Sequence, residues 1–157
     1  MKNTSLNILL ADDDLDDCTF FKIALSELLP SIHLAAVHDG EQLMNVLTSR
    51  GKTDDQNSPF PDAIFLDLNM PRKNGFECLE EIKSNSTLQH LPIIILSTSF
   101  EQEVVNRLYD SGAQYFIRKP ASFSQFKKII QQAFINTILP RNLLQPAREH
   151  FVLTIQP

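Results

Sequence analysis

Three stretches of the chain are apolar at every consecutive position: Ile8–Ala11 within the run Leu6–Ala11, then Ala63–Leu66 and Ile93–Leu96. A strand with one wet face alternates apolar and polar residues. A strand that is apolar throughout has both faces covered, as in a parallel sheet clothed by helices on each side. Ile32–Val37 and the weaker Tyr115–Ile117 read as two further strands. Between these runs the period lengthens to that of a helix. Cys18, Phe21, Leu25 and Leu28 share one face; so do Leu43, Val46 and Leu47; Phe76, Leu79 and Ile82; Val104, Val105 and Leu108; and Phe123, Phe126, Ile130, Ala133 and Phe134. Asp39 with Gln42, Ser99 with Gln102, and Ser122 with Gln125 are spaced as helix-start caps, and Pro30 and Gly112 stand where the first and fourth helices should stop.

The order is therefore strand–helix five times over, with strands recurring every ~25–30 residues. At 157 residues and 43% hydrophobic content the chain suits one domain, able to bury roughly 70% of its unfolded surface. The expected fold is α/β: a doubly wound parallel (βα)5 sheet of strand order 2-1-3-4-5, flavodoxin-like. The polar stretch from Gly51 to Pro61 reads as a surface insertion before the third strand. Pro140 ends the fifth helix, which divides the chain into a domain over 1–139 and an extension over 140–157.

Charge and composition narrow the function. A net charge of −5 argues against a general nucleic-acid binder, and Arg141 and Arg148 make no basic patch in the tail. No apolar run approaches the ~20 residues of a membrane span, and the first residues lack the form of a signal peptide. Cys18 and Cys78 make neither a CxxC pair nor a disulfide framework, so a cytoplasmic setting is expected.

In a doubly wound sheet the ligand lies beyond the carboxyl ends of the strands, at the switch between strands 1 and 3. Chemistry-bearing residues cluster there. Strand 1 ends in Asp12, Asp13 and Asp14, strand 3 in Asp67, strand 4 in Ser97 and Thr98, strand 5 in Lys119; strand 2, off to the side, ends in His38 and Asp39. Individually most have an ordinary reading: Asp14, Asp16 and Asp17 as helix-start charges, Asp39 as a cap, Ser97 as a turn residue, Lys119 as a solvated charge. Asp67 is harder to set aside, since it closes an apolar run where an unpartnered charge is costly. Carboxylates converging from Asp12, Asp13 and Asp67 repel, so one takes up a proton or a cation neutralises them. An oxygen-only set with open positions suits Mg²⁺ rather than zinc. A divalent ion, a lysine and a hydroxyl around a carboxylate make a phosphoryl-transfer site in which the carboxylate can act as nucleophile. Neither GxGxxG nor GxxxxGK[ST] occurs, which disfavours nucleotide binding.

The segments ILLADDD, FLDLNMPRKNG, IIILSTS and FIRKP, in that order between Leu6 and about Ile138, resemble the receiver domain of two-component response regulators. The DLNMPRKNG form, the insertion and the tail are most similar to single-domain regulators, including those associated with phytochrome-like kinases. The resemblance implies a signalling protein rather than an enzyme, one that takes a phosphoryl group from a sensor histidine kinase or a histidine phosphotransfer protein onto Asp67. It implies Asp13 as a direct Mg²⁺ ligand, Asp12 acting mainly through water, and the backbone carbonyl of Asn69 as a third protein ligand. Ser97 matches the hydroxyl that follows the phosphoryl group, Lys119 the phosphate-pairing lysine, and Phe116 the aromatic switch position. Phe116 reads equally as a packed core aromatic. Ser97 stands where threonine is commoner, and Thr98 where alanine or glycine is common, so its bulk would slow access.

Two rival readings are a phosphatase of the haloacid-dehalogenase type, suggested by Asp12-x-Asp14, and a binding module of receiver shape that is never phosphorylated. The first lacks the threonine expected downstream and leaves Asp67 idle; the complete set of acidic residues, Ser97 and Lys119 argues against the second. With no output domain visible, the signal is expected to leave through contact with an unidentified downstream protein. Leu143, Leu144, Phe151, Val152, Leu153 and Ile155 are too apolar for a solvated terminus, and Phe151–Ile155 is β-prone. The tail is expected to take part in self-association, and the family resemblance implies a homodimer through helix 4, strand 5 and helix 5; folding back on its own domain is the ordinary alternative.

Overall fold

The computed structural model describes residues 5–49 and 60–155; most of the expected insertion, 51–59, lies outside the described residues. Strands β1 (Leu6–Ala11), β2 (Ile32–Val37), β3 (Ala63–Asp67), β4 (Ile93–Ser97) and β5 (Tyr115–Arg118) alternate with helices α1 (Leu15–Leu28), α2 (Gly40–Ser49), α3 (Gly75–Ser84), α4 (Gln102–Asp110) and α5 (Phe123–Ala133). All strand pairs are parallel, and the order β2-β1-β3-β4-β5 is the doubly wound arrangement expected of continuous apolar runs.

The strands are apolar throughout because both faces are covered. Ile64 and Leu66 pack with Leu43, Leu47, Leu79, Ile82, Val105 and Leu108 under α2, α3 and α4. Ala63 and Phe65 face Phe21 and Leu25 from α1, Phe126 and Ile130 from α5, and Phe134 just beyond its end. Phe65 stacks on Phe134 at 5.5 Å and meets Phe21 edge-on at 4.8 Å, which locks those two helices to the centre of the sheet. Phe123 does not share this burial: it is 39% exposed and rests on Phe20, with centroids 4.6 Å apart.

Helix ends follow local chemistry. Asp14 caps α1 by accepting from the Asp17 N–H, Asp39 accepts from the Gln42 N–H, and Ser122 accepts from the Gln125 N–H. The fourth helix departs from expectation. It starts at Gln102 behind Glu101, which makes no side-chain cap, and Ser99 is not its cap. The Ser99 N–H instead donates to the Ser97 hydroxyl at 3.2 Å, which draws Ser99 back toward the end of β4. α4 stops through Gly112, whose φ of +100° an L side chain rarely adopts. Gly75, at the start of α3, lies so close to β3 that a Cβ would sit 2.6 Å from the Asp67 carbonyl oxygen. That closeness seats α3 against the carboxyl end of β3.

The chain does not leave the domain after α5. A π-helical turn, Phe134–Ile138, widens the helix end; Leu139 and Pro140 follow, and Arg141 turns back with φ +61°. The tail then crosses the sheet edge and adds a sixth strand, β6 (Val152–Leu153), parallel to β5. The Phe116 N–H donates to the Phe151 carbonyl at 3.0 Å. Phe151 is 1% exposed, lying 5.3 Å from the Tyr109 ring and 6.5 Å from the Phe116 ring. Tyr109 donates its hydroxyl to the Pro146 carbonyl at 2.7 Å, Tyr115 to the Asn142 carbonyl at 3.2 Å, and Arg148 pairs with Asp110 at 2.6 Å while lying over the Tyr109 ring. The sheet is therefore six-stranded, one more than the five runs first read as strands. Within one chain the tail covers its own β5; the β-prone run was legible, its landing place was not.

Candidate functional site

The carboxyl ends of β1, β3, β4 and β5 meet at one edge. Asp12, at the end of β1, is 1% exposed, and its backbone N–H is held by the Val37 carbonyl at 3.0 Å. Its Oδ1 accepts from the Asp14 N–H at 2.9 Å, turning the chain so that Asp13 projects outward. Asp67, the last residue of β3, is also buried, and its Oδ1 accepts from the Asn69 N–H at 3.0 Å. Carboxylate oxygens of Asp12, Asp13 and Asp67 all lie within 4.8 Å of one another.

Lys119 reaches this cluster from the end of β5, with its backbone N–H on the Ser97 carbonyl at 2.7 Å. Its ammonium donates to Asp12 Oδ2 at 2.7 Å, Asp17 Oδ2 at 2.9 Å and Asp67 Oδ2 at 3.1 Å. Burial alone would lower the lysine's pKa. The hydrogen bond and charge of Asp12, the hydrogen bond of Asp17 and the charge of Asp67 outweigh it, so the ammonium is held firmly protonated. Asp12 shows the converse. Burial, with the neighbouring Asp67, pushes its carboxyl up to about 6 against the pull of Lys119. The carboxylates thus carry more negative charge than one lysine offsets, which is the condition a bound cation relieves. The donor set is oxygen only. Cys18, whose Sγ lies 3.5 Å from the Asp12 carbonyl, is a thiol pushed up to about 11 by burial and the Asp12 charge. The three carboxylates can hold a hard divalent cation.

The remaining residues singled out in the sequence surround this centre. Ser97 is fully buried, and its Oγ lies 3.3 Å from the Ser99 Oγ. Thr98 and Asn69 are exposed beside it. Phe116 is buried between Phe151 and Phe100, the latter 5.9 Å away and edge-on. A cleft of about 220 Å³ opens between Asn69, Ser99 and Val104, with Phe116 in its wall. His38 stands apart from the carboxylates at the end of β2, its Nδ1 3.1 Å from the Asp12 carbonyl.

Asp17 is the residue that sequence reasoning passed over. It reads as a helix-start charge, and its backbone serves that purpose, but its side chain belongs to Lys119. The signal was in the spacing: Asp17 precedes Phe21 by four residues and so lies on the inward stripe of α1. Asp16, one position away, is exposed.

A doubly wound parallel sheet carrying an acidic cluster and a lysine at its switch point defines an α/β domain whose site can hold a divalent cation. The family model of the response regulator receiver domain matches residues 8–131, and the chain belongs to that family. Membership places it among two-component signalling proteins rather than classical enzymes. Response regulator Rcp1 of Synechocystis sp. is 32% identical over 124 residues, covering 79% of this chain and 83% of that protein. The phosphorylated cyanobacterial phytochrome response regulator RcpA superposes with a TM-score of 0.76 at 33% identity, over 83% of this chain and 92% of that one. The Mn²⁺-bound form of Rcp1 superposes with a TM-score of 0.77 at 30% identity, over 90% and 99% respectively. Several similar plant regulators are matched over little more than half their length. Among the described residues no helix is long and apolar enough to cross a membrane.

Proposed function

We propose that the protein is a phosphoryl-accepting response regulator in which Asp67 takes the group from a phosphohistidine of a sensor histidine kinase or histidine phosphotransfer protein. The observation that carries this reading is the Lys119 ammonium, which bridges Asp12 and Asp67 at the edge of the three-carboxylate cluster. Asp67 attacks phosphorus in line; the new O–P bond forms as the N–P bond breaks, and the imidazole keeps the electron pair and takes a proton. Lys119 offsets charge on the phosphoryl oxygens. Asp13, Asp67 and the Asn69 carbonyl would hold Mg²⁺, with Asp12 contributing mainly through water, and the ion would supply further positive charge to those oxygens. The hard oxygen donor set suits that ion.

Ser97 leaves Ser99 and turns toward the new phosphoryl group, and Phe116 then has room to shift. The face of α4, β5 and α5, with β6 at its edge, carries the signal to a downstream protein. A homodimer through that face and the tail belongs to the same reading, as does a domain spanning 1–139 with 140–157 as its extension. A cytoplasmic setting goes with it, and two free cysteines accord with a reducing compartment.

Acetyl phosphate with Mg²⁺ should add one base-labile phosphoryl group, and Asp67→Asn should abolish it. Labelling that persists in Asp67→Asn removes the assignment. Continuous turnover of a small phosphate ester would instead favour a phosphatase.

A further inference from the structure

Lys119 has three N–H donors and three carboxylate partners, so its hydrogen-bonding capacity is fully used. Two of those partners, Asp12 and Asp67, also belong to the group of carboxylates that can hold a cation. Asp67 is in addition the group phosphorylated under the reading above, on which this inference rests. Asp17 is neither: it lies outside the cation group and carries no phosphoryl chemistry. Among the described residues its carboxylate is paired with Lys119 alone, and it is 24% exposed where the lysine is 5% exposed. Its part in capping α1 is played by its backbone N–H, not its carboxylate.

We propose that Asp17 is a positioning residue for phosphoryl transfer, anchoring the Lys119 ammonium at the reacting centre through every state of the reaction. When the cation draws on Asp12, and Asp67 becomes an acyl phosphate, both original partners change their demands. The donor that faced Asp67 Oδ2 passes to a phosphoryl oxygen. Asp17 alone keeps an unchanged hold, so the ammonium meets the phosphoryl oxygens from a fixed point instead of following Asp12 toward the cation. A lysine on a flexible four-carbon stem benefits from such a tether more than a rigid guanidinium would.

The test measures the rate of Asp67 phosphorylation by acetyl phosphate at saturating Mg²⁺, together with Mg²⁺ affinity by calorimetry and the melting temperature. Asp17→Ala should slow labelling by about tenfold, the worth of a charge-assisted hydrogen bond, while Mg²⁺ affinity stays within about twofold. Asp17→Asn, which keeps an acceptor of the same length, should recover most of the rate. Should Asp17→Ala fail to fold, Asp17→Ser, too short to reach Lys119, takes its place. Labelling at the wild-type rate or faster in the truncated variant overturns the proposal, the faster rate meaning that Asp17 competes for the lysine. So does a loss matched by an equal loss of Mg²⁺ affinity. A wild-type protein that takes no phosphoryl group would overturn the functional reading itself, whereas a wild-type protein that labels like Asp17→Ala overturns only the anchor.

Discussion

Lys119 Nζ and Asp12 Oδ2 stand 2.7 Å apart across 107 residues of sequence, and both side chains are almost fully buried. The pair joins the first strand of the sheet to the fifth, and it sets the acid–base behaviour of the site.

Stability without divalent cations should depend on Asp12. Its carboxyl is raised in the fold from 3.8 to about 6, so the folded state binds the proton more tightly than the unfolded chain does. The associated stability is fully present below the unfolded pKa and is lost as pH rises through about 6. Lys119, also raised, stays charged throughout this window and adds no slope. The apo protein should therefore melt a few degrees higher at pH 5 than at pH 7.5, on the order of 1 kcal/mol. Asp12→Asn should flatten that slope; melting curves across the range check it.

Divalent-ion binding should depend on Asp13 far more than on Asp14. Asp13→Asn removes an exposed carboxylate from the cation group, while Asp14 is turned away to cap α1. Calorimetric titration with Mg²⁺ should show affinity falling by about tenfold or more for Asp13→Asn and hardly at all for Asp14→Asn. A larger loss in Asp14→Asn would mean that the acidic run is displaced by one residue.

Lys119→Met should reveal what the lysine does for the fold. Without it, Asp12, Asp17 and Asp67 face one another with no cation between them. The variant should melt well below wild type at neutral pH, by about 3 kcal/mol, and millimolar Mg²⁺ should recover much of the deficit. Lys119→Arg should fold, since it keeps the charge, yet lose signal output because it loses the point geometry.

The tail should contribute to stability through Phe151. Truncating this buried ring to alanine should cost about 3–4 kcal/mol in urea unfolding. Leu144→Ala, at a position 85% exposed, should change nothing measurable. A chain ending at Leu139 should lose at least as much as Phe151→Ala. Comparing its mass by light scattering with that of the full chain, with and without phosphorylation, tests the dimer.

Most of the sheet was legible because burial on both faces writes itself into sequence as unbroken apolar runs; Ile93–Leu96 needed no other signal. The site was legible for a related reason: Asp67 closes such a run, and strand ends converge in a doubly wound fold. What sequence alone could not supply was pairing decided in three dimensions. Val152–Leu153 has strand propensity, but its choice of β5 depends on Tyr109 and Phe116 lying beside Phe151. Ser99 has the spacing of a cap, yet the nearby Ser97 hydroxyl outbids that local role. Asp17 was read from its neighbours in sequence, whereas its partner lies 102 residues away.

The docking of the tail also has an optical consequence. The chain has two tyrosines and no tryptophan, so its near-ultraviolet signal comes mainly from Tyr109 and Tyr115. Both phenols donate to tail carbonyls, of Pro146 and Asn142, and Tyr109 also lies against Phe151. Tyrosine emission and near-ultraviolet dichroism are thus built-in reporters of one event, the seating or release of residues 142–151. No label is needed to follow that event, at the same edge of the sheet where Phe116 lies.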